Sequence, residues 1–504
     1  MCPAPFSSSV KNQVQLITYV DRLGGSNLAA LHHLLTGPLA SLFGGVHLLP
    51  FFHAIDGADA GFDPIDHTRV DPRLGNWDDV KALSRDVPVM ADLIVNHMSD
   101  ESPQFQDFSR RGAASPYETL FLTRDSVFPD GATEEELRAI SRPHRGLPFT
   151  ERLLANGEKR TLWTTFTPRQ IDINVLSISG AAYLRSILAT FQRGGVTMIR
   201  LDAAGFAIKR AGTSCFMIPE TYTFIADLAA QARALGIEVL VEIHGHHRDQ
   251  IEIAHHVDRV YDFALPPLVL HALFNRNSWG LKAWLAISPR NCLTVLDTHD
   301  GIGIADIGAD RAGRLGLIPP TELDALVETI HVNSGGQSRE ATGAAAHNLD
   351  LDQVNCTYYD ALGRNDRAYL TARAIQFFVP GVPQIYYAGL LVGTNDVALL
   401  ARTKVGRDIN RHFYTPSEVG AALTRPVVQA LFDLIRFRNC HPAFAGEFEL
   451  GNCADHKLIL TWRVGPHWAT LTVDLEKQTA LVEHSENGAG CKTFAIELPV
   501  SAVG

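Results

Sequence analysis

The chain has 504 residues, 46% hydrophobic and 20% charged, with a formal net charge of −11. That length supports one large domain with additions, or two to three domains, around a sizeable core. The acidic balance and the lack of a Lys/Arg run argue against nucleic acid and anionic membranes as partners, and no apolar run is long enough to span a bilayer. Strands are expected in chain order at "QVQLITYV", "GVHLLPFF", "VPVMADLIVNH", "VTMIRLDA", "IEVLVEIH", "RVYDFALP", "CLTVLDTHD" and "VPQIYYAG". Between the fourth and fifth, "TYTFIADLAAQARALG" puts Phe224, Leu228 and Leu235 on one helical face. Near-continuous apolar strands separated by helices imply a parallel sheet covered on both faces. Eight of them imply an α/β fold of the closed (β/α)8 TIM-barrel type.

Two stretches interrupt the rhythm, and a third follows it. Residues 98–176 follow the third strand and 302–363 the seventh, and long loops after strands are usually functional here. From residue 444 the pattern alternates, as in "HKLILTWRVGPHWATLTVDL", predicting a small antiparallel β domain over 444–504. The catalytic barrel is then expected over 1–97, 177–301 and 364–443. Seven scattered cysteines with no CxxC pair suit a reducing compartment. The opening "MCPAPFSSSVKNQVQLITYV" lacks the blocks of a signal peptide, so a cytoplasmic location is expected.

Active sites of such barrels lie at the C-terminal strand ends. Those ends supply Asp59 and Phe62 beyond strand two, Asn96 and His97 at strand three, and Arg200 and Asp202 at strand four. Strand five supplies Glu242 and His244, and strand seven His299 and Asp300. Arg200 and Asp202, two apart on a strand, point the same way. A salt bridge or loop cap explains one strand-end acid; three beside an arginine point to paired-carboxylate chemistry on a sugar.

Here the motifs carry a resemblance. "DLIVNH", "IRLDAAGF", "LVEIHGHH" and "LDTHDGIG" resemble the four signature regions of the α-amylase superfamily. "GADAGFDPIDHTRVDPRLGNWDDV", "AGTSCFM", "NLDLDQVNCTYYDALGRND" and "GRDINRHFY" resemble its sucrose phosphorylase branch, over about residues 12–440. The resemblance implies a retaining double displacement without cofactor or metal, using a sugar and inorganic phosphate, in a monomer or homodimer. Asp202 would be the nucleophile, held ionised by Arg200 at a low pKa, and Glu242 the acid/base with a raised one. Their carboxyls would stand about 5–5.5 Å apart. Asp300 would stabilise the transition state, with His97, His299 and His244 as further contacts. Asp59 and Arg407 would clamp the glucose, Phe62 would give an apolar platform and Gln170 a polar contact.

Bland readings hold elsewhere. Asp63 and Asp66 read as loop-shaping residues, Cys215 as a small buried hydrophobe, and "HGHH" as no metal site despite its clustered imidazoles. Asn96 resembles a calcium-linked position in amylases, but an acidic ligand set is not evident.

The acceptor half departs from the branch. Ser141 and Asp352 stand where tyrosines are usual, His144 where an arginine is, and Phe206 where a tyrosine is. Arg142, His144 and Arg145 fall in one loop and Arg339 and His347 in the other, near the further acceptor candidates Asp350, Asp352 and Gln353. Guanidinium groups suit a phosphate ester. The expectation is therefore sucrose 6′-phosphate, with plain sucrose, glucosylglycerol or glucosylglycerate as alternatives. A hydrolase with the same acids, or a silent binding protein, is disfavoured by the phosphorylase-like loop "RPHRGLPF" and by the intact acids.

Overall fold

The computed structural model describes residues 10–56, 59–143, 146–310, 313–343, 352–486 and 488–496. Eight parallel strands close a barrel: β1 Gln15–Thr18, β2 Val46–Leu48, β3 Val89–Ile94, β4 Val196–Asp202, β5 Glu238–Val241, β6 Arg259–Asp262, β7 Cys292–Thr294 and β8 Val382–Tyr386. All eight lie within the apolar runs read from the sequence. Neighbours pair in chain order and β8 closes on β1, with Leu16 opposite Ile385. Every residue of β3 and β8 is buried, as strands covered by helices outside and packed side chains inside require.

The helix after β4 spans Pro219–Ala234, with proline at its first turn where a missing N–H costs nothing. Its core stripe is Thr221, Ile225, Leu228, Ala229 and Ala232. Phe224 is only half-buried and Leu235 caps the helix, so the expected face is rotated by about one residue.

The barrel interior is polar toward the mouth. His47 on β2 meets Asp92 on β3 at 3.1 Å, and Asp92 takes the Arg200 Nε of β4 at 2.5 Å. The β3–β4 register places Arg200 opposite Asp92 and Asp202 opposite Ile94. Residues 98–176 hold short helices and the hairpin Phe149–Leu153/Lys159–Trp163, and His97–Ser99 pairs with Gln170–Asp172. That second pairing returns Gln170 to the mouth beside His97. After β8 come β9 Glu447–Leu450, β10 Lys457–Val464, β11 His467–Asp474, β12 Thr479–Glu486 and β13 Ala489–Ala495, a five-stranded antiparallel sheet. No helix among the described residues is long and apolar enough to cross a membrane.

Candidate active site

A cavity of about 920 Å³ opens at the C-terminal ends of the strands. Its lining brings together Asp59, Phe62, His97, Gln170, Asp202, Glu242, His244, His299, Asp300 and Arg407, from loops distant in sequence. Arg200, 2% exposed, lies beneath. Its guanidinium donates to three carboxylates at once: Asp92 through Nε at 2.5 Å, Asp202 through Nη2 at 2.7 Å and Glu242 through Nη1 at 3.3 Å. The planar fork of arginine suits this task, and a lysine ammonium would not span it.

One guanidinium draws Asp202 and Glu242 to the same floor of the cavity. Burial and the Glu242 carboxylate push the Asp202 carboxyl well above its usual range, against the pull of Arg200. The low value expected for Asp202 is therefore corrected. Arg200 is shared with Asp92 and Glu242, so its charge does not offset the desolvation of Asp202 alone.

The opposite wall carries a second clamp. Arg407 reaches Asp300 at 2.8 Å and Asp59 at 3.6 Å. Behind it Arg411, wholly buried, meets Asp59 at 3.2 Å and donates to the His299 carbonyl at 2.9 Å. Burial opposes ionisation of Asp300, but Arg407 and His244 together hold its carboxyl well below the usual range. Burial raises Asp59 despite both arginines. Phe62 stacks on His299 with centroids 4.6 Å apart, and its carbonyl accepts from His97 Nε2 at 2.7 Å and Gln170 Nε2 at 3.3 Å. Burial lowers His97 to about 4 and His299 well below the ordinary histidine range, so both stand neutral at neutral pH. Among the described residues, buried atoms Gln170 Oε1, His244 Nε2 and Gln353 Nε2 have no hydrogen-bond partner, although each residue lines the cavity. A polyhydroxylated ligand would satisfy such groups.

Glu242, His244 and Asp300 bring donor atoms within 4.8 Å of one another, the one metal-compatible trio among the described residues. Arg200 and Arg407 already neutralise its two acids, so a further cation would meet like charge. The other imidazoles of "HGHH" diverge. His246 caps the helix His247–Ile253, and His247 is buried and lowered to about 4. Near Asn96, the Lys209 ammonium lies 2.5 Å from Asn96 Oδ1 and 2.6 Å from Asp172, placing a protein cation among those oxygens. Asp66 binds Thr68 through its amide and hydroxyl, and Cys215 is buried in an apolar cluster; both match their bland readings.

The acceptor candidates are less gathered. Arg142 lines the cavity but bonds the Gly146 carbonyl, and Arg339 turns away to hold both oxygens of Glu328 at 2.6 and 2.7 Å. Arg339 thus leaves the expected cationic set, because an exposed helix neighbour supplies its carboxylate. Asp352 is exposed on the lining, and Gln353 Oε1 accepts from Gly301 N–H at 3.0 Å. His144, Arg145, His347 and Asp350 lie outside the described residues. Sequence reading missed Asp92, Arg411, Asp306 and Lys209. A carboxylate within the apolar run of β3, and a second arginine four residues after Arg407, were the available signals.

The α-amylase catalytic-domain model matches residues 42–224. A sucrose phosphorylase from Agrobacterium vitis is 60% identical over 96% of this chain and 99% of its own length. Another, from Bifidobacterium adolescentis, is 53% identical over 92% of each chain. The crystal structure of sucrose 6F-phosphate phosphorylase from Thermoanaerobacter thermosaccharolyticum superposes with a TM-score of 0.89 at 38% identity, over 97% of this chain and 98% of that one.

Proposed function

Since the chain belongs to the sucrose phosphorylase family of α-amylase-type barrels, we propose that it moves the glucosyl group of sucrose to inorganic phosphate with retention, giving α-glucose 1-phosphate and fructose. The observation that carries this reading is the shared arginine: Arg200 bonds Asp202 and Glu242 together at the floor of a cavity whose far wall is Asp300, Arg407 and Asp59.

Asp202 attacks the anomeric carbon and forms a glucosyl ester, while Glu242 protonates the departing fructosyl oxygen. Asp202 attacks as a carboxylate that Arg200 Nη2 holds in place at 2.7 Å, and Glu242 enters the first step as the acid. In the second step phosphate attacks the anomeric carbon, displacing the Asp202 carboxylate, and gives its proton to the Glu242 carboxylate. Asp300, held ionised, faces the positive charge that develops on the ring, and the neutral His97 and His299 supply hydrogen bonds without adding repulsion. Asp59 and Arg407 hold the remote hydroxyls, on the Phe62 platform.

Sucrose is favoured over its 6′-phosphate for two reasons. The cation excess that suggested a phosphate ester shrinks once Arg339 is paired with Glu328, and Asp352 puts a carboxylate on the same lining. The relatives at 60% and 53% identity are sucrose phosphorylases, whereas a sucrose 6(F)-phosphate phosphorylase is 40% identical over 96% of this chain. The test is parallel phosphorolysis of sucrose and sucrose 6′-phosphate. The expected kcat/KM is at least about tenfold higher for sucrose, since Arg339, paired with Glu328, offers no guanidinium to a phosphate ester. A preference for the phosphorylated sugar would reverse the assignment.

A further inference from the structure

His244 stands where a second-step nucleophile must pass. Its Nε2 is 3.7 Å from Glu242 Oε1 and 3.8 Å from Asp300 Oδ2, buried and with no hydrogen bond among the described residues, and its ring stacks on Phe263 at 4.0 Å. Its other nitrogen, Nδ1, faces Asp306 Oδ2 at 3.4 Å. Asp306 is wholly buried and accepts in addition from Gln250 Nε2 at 2.9 Å and from Gly245 N–H at 3.3 Å. Those bonds tie the carboxylate to both ends of the turn that carries His244. Gly303 sits against this pair: a methyl there would run into the Asp306 carboxylate and come 3.4 Å from His244 Nδ1.

We propose that Asp306 is a positioning residue that takes Nδ1–H of His244, so that Nε2–H points into the cleft between Glu242 and Asp300 and meets an oxygen of the attacking phosphate. This rests on the phosphorolysis reading above. An anion entering there faces the carboxylates of Asp300 and, after the first step, Glu242. Arg200 and Arg407 are already engaged with those acids. A third positive group beside them offsets the repulsion, and a charge-assisted bond orients the oxygen. Burial works against a charged imidazole, but the neighbouring carboxylates of Asp300, Asp306 and Glu242 together hold His244 well above its ordinary range. His244 makes and breaks no covalent bond; the phosphate proton goes to Glu242, and the imidazolium keeps its own.

The groups that face His244 are Glu242 from the end of β5, Asp300 and Asp306 from the segment after β7, and the Phe263 ring after β6. The test compares Asp306→Asn, His244→Gln and the double variant. In histidine-labelled protein, the His244 ring signal, identified by its loss in H244Q, should titrate at least about one pH unit lower in D306N. The KM for phosphate should rise about 10- to 100-fold in D306N at neutral pH. Release of glucose by water from sucrose should fall less than phosphorolysis does, because water brings no charge to offset. The double variant should be no worse than H244Q. If D306N does not fold, Gly303→Ala, which displaces the Asp306 carboxylate, should give the same titration shift. An unmoved His244 titration, or additive losses in the double variant, would overturn the proposal. The titration reads the Asp306–His244 link even if the native enzyme makes no glucose 1-phosphate, an outcome that would overturn the phosphorolysis reading instead.

Discussion

At the glucose end of the cavity, Arg200, Arg407 and Arg411 have side chains 2%, 13% and 0% exposed, and each touches two or more carboxylates that line or underlie the site. At the acceptor end, Arg314 and Arg339 are 35% and 58% exposed. Their partners are surface acids: Asp249 and Asp310 for Arg314, Glu328 for Arg339. The same residue type therefore does two jobs. Buried and shared, it sets the electrostatics of the candidate reacting groups; nearer the surface and paired with surface acids, it ties down loops. A buried network tolerates little change because breaking it strands a charge, whereas an exposed pair contributes about 0–1 kcal/mol and can be rewritten. One end of the cavity can thus keep its chemistry while the other changes its partner molecule.

The sharpest way to break this contrast is Asp202→Asn. Phosphorolysis of sucrose should fall by about 10⁴-fold or more, since no covalent intermediate can form. Folding should not suffer, because the asparagine relieves the crowding of Asp202 against Glu242; an unfolding midpoint well below the native one would contradict the account. Glu242→Gln should cost about 10²–10⁴-fold on sucrose and far less on α-glucosyl fluoride, whose leaving group needs little protonation. Equal losses on both would remove Glu242 from its role. Arg200→Leu should destabilise the fold by about 3–5 kcal/mol in urea unfolding, as it leaves Asp92, Asp202 and Glu242 without their shared cation.

A pH series sharpens the same point. The folded-state value of Asp202 is raised, so its contribution to stability is complete below the ordinary aspartate range and is lost as pH climbs through the raised value. The stability of D202N relative to the native chain should therefore increase with pH above about 4. A difference that stays flat from acid to neutral pH would show that Asp202 is not perturbed. The smallest effect belongs to the acceptor end. Arg339→Ala should leave sucrose kinetics within about twofold and cost under about 1 kcal/mol, since its pair with Glu328 is open to solvent.

The barrel was legible because its signal is repeated: eight apolar runs, each too short for a helix and each followed by one. The gathering of Asp202, Glu242 and Asp300 in one cavity was legible because strand ends are where this architecture places its site. What escaped was whatever depends on three dimensions at once. Asp92 sits in an apolar run and shows its purpose only when β3 lies beside β4 and brings it opposite Arg200. Asp306 reads as an ordinary loop acid until the segment after β7 folds back on the His244 turn. Arg339 counted as a cation for the acceptor site because the sequence does not reveal that Glu328, eleven residues earlier, faces it. Residue type predicts charge; only packing tells which charges are already paired.

The central claim is a covalent glucosyl ester on Asp202. The direct measurement is intact-protein and peptide mass spectrometry of Glu242→Gln mixed with α-glucosyl fluoride and quenched in acid, since this variant should form the ester readily and lose it slowly. The account predicts a gain of one anhydroglucose unit on the peptide containing Asp202, and its disappearance in the Asp202→Asn, Glu242→Gln double variant. A reactive fluoride consumed with no adduct, or an adduct on any other residue, would contradict it.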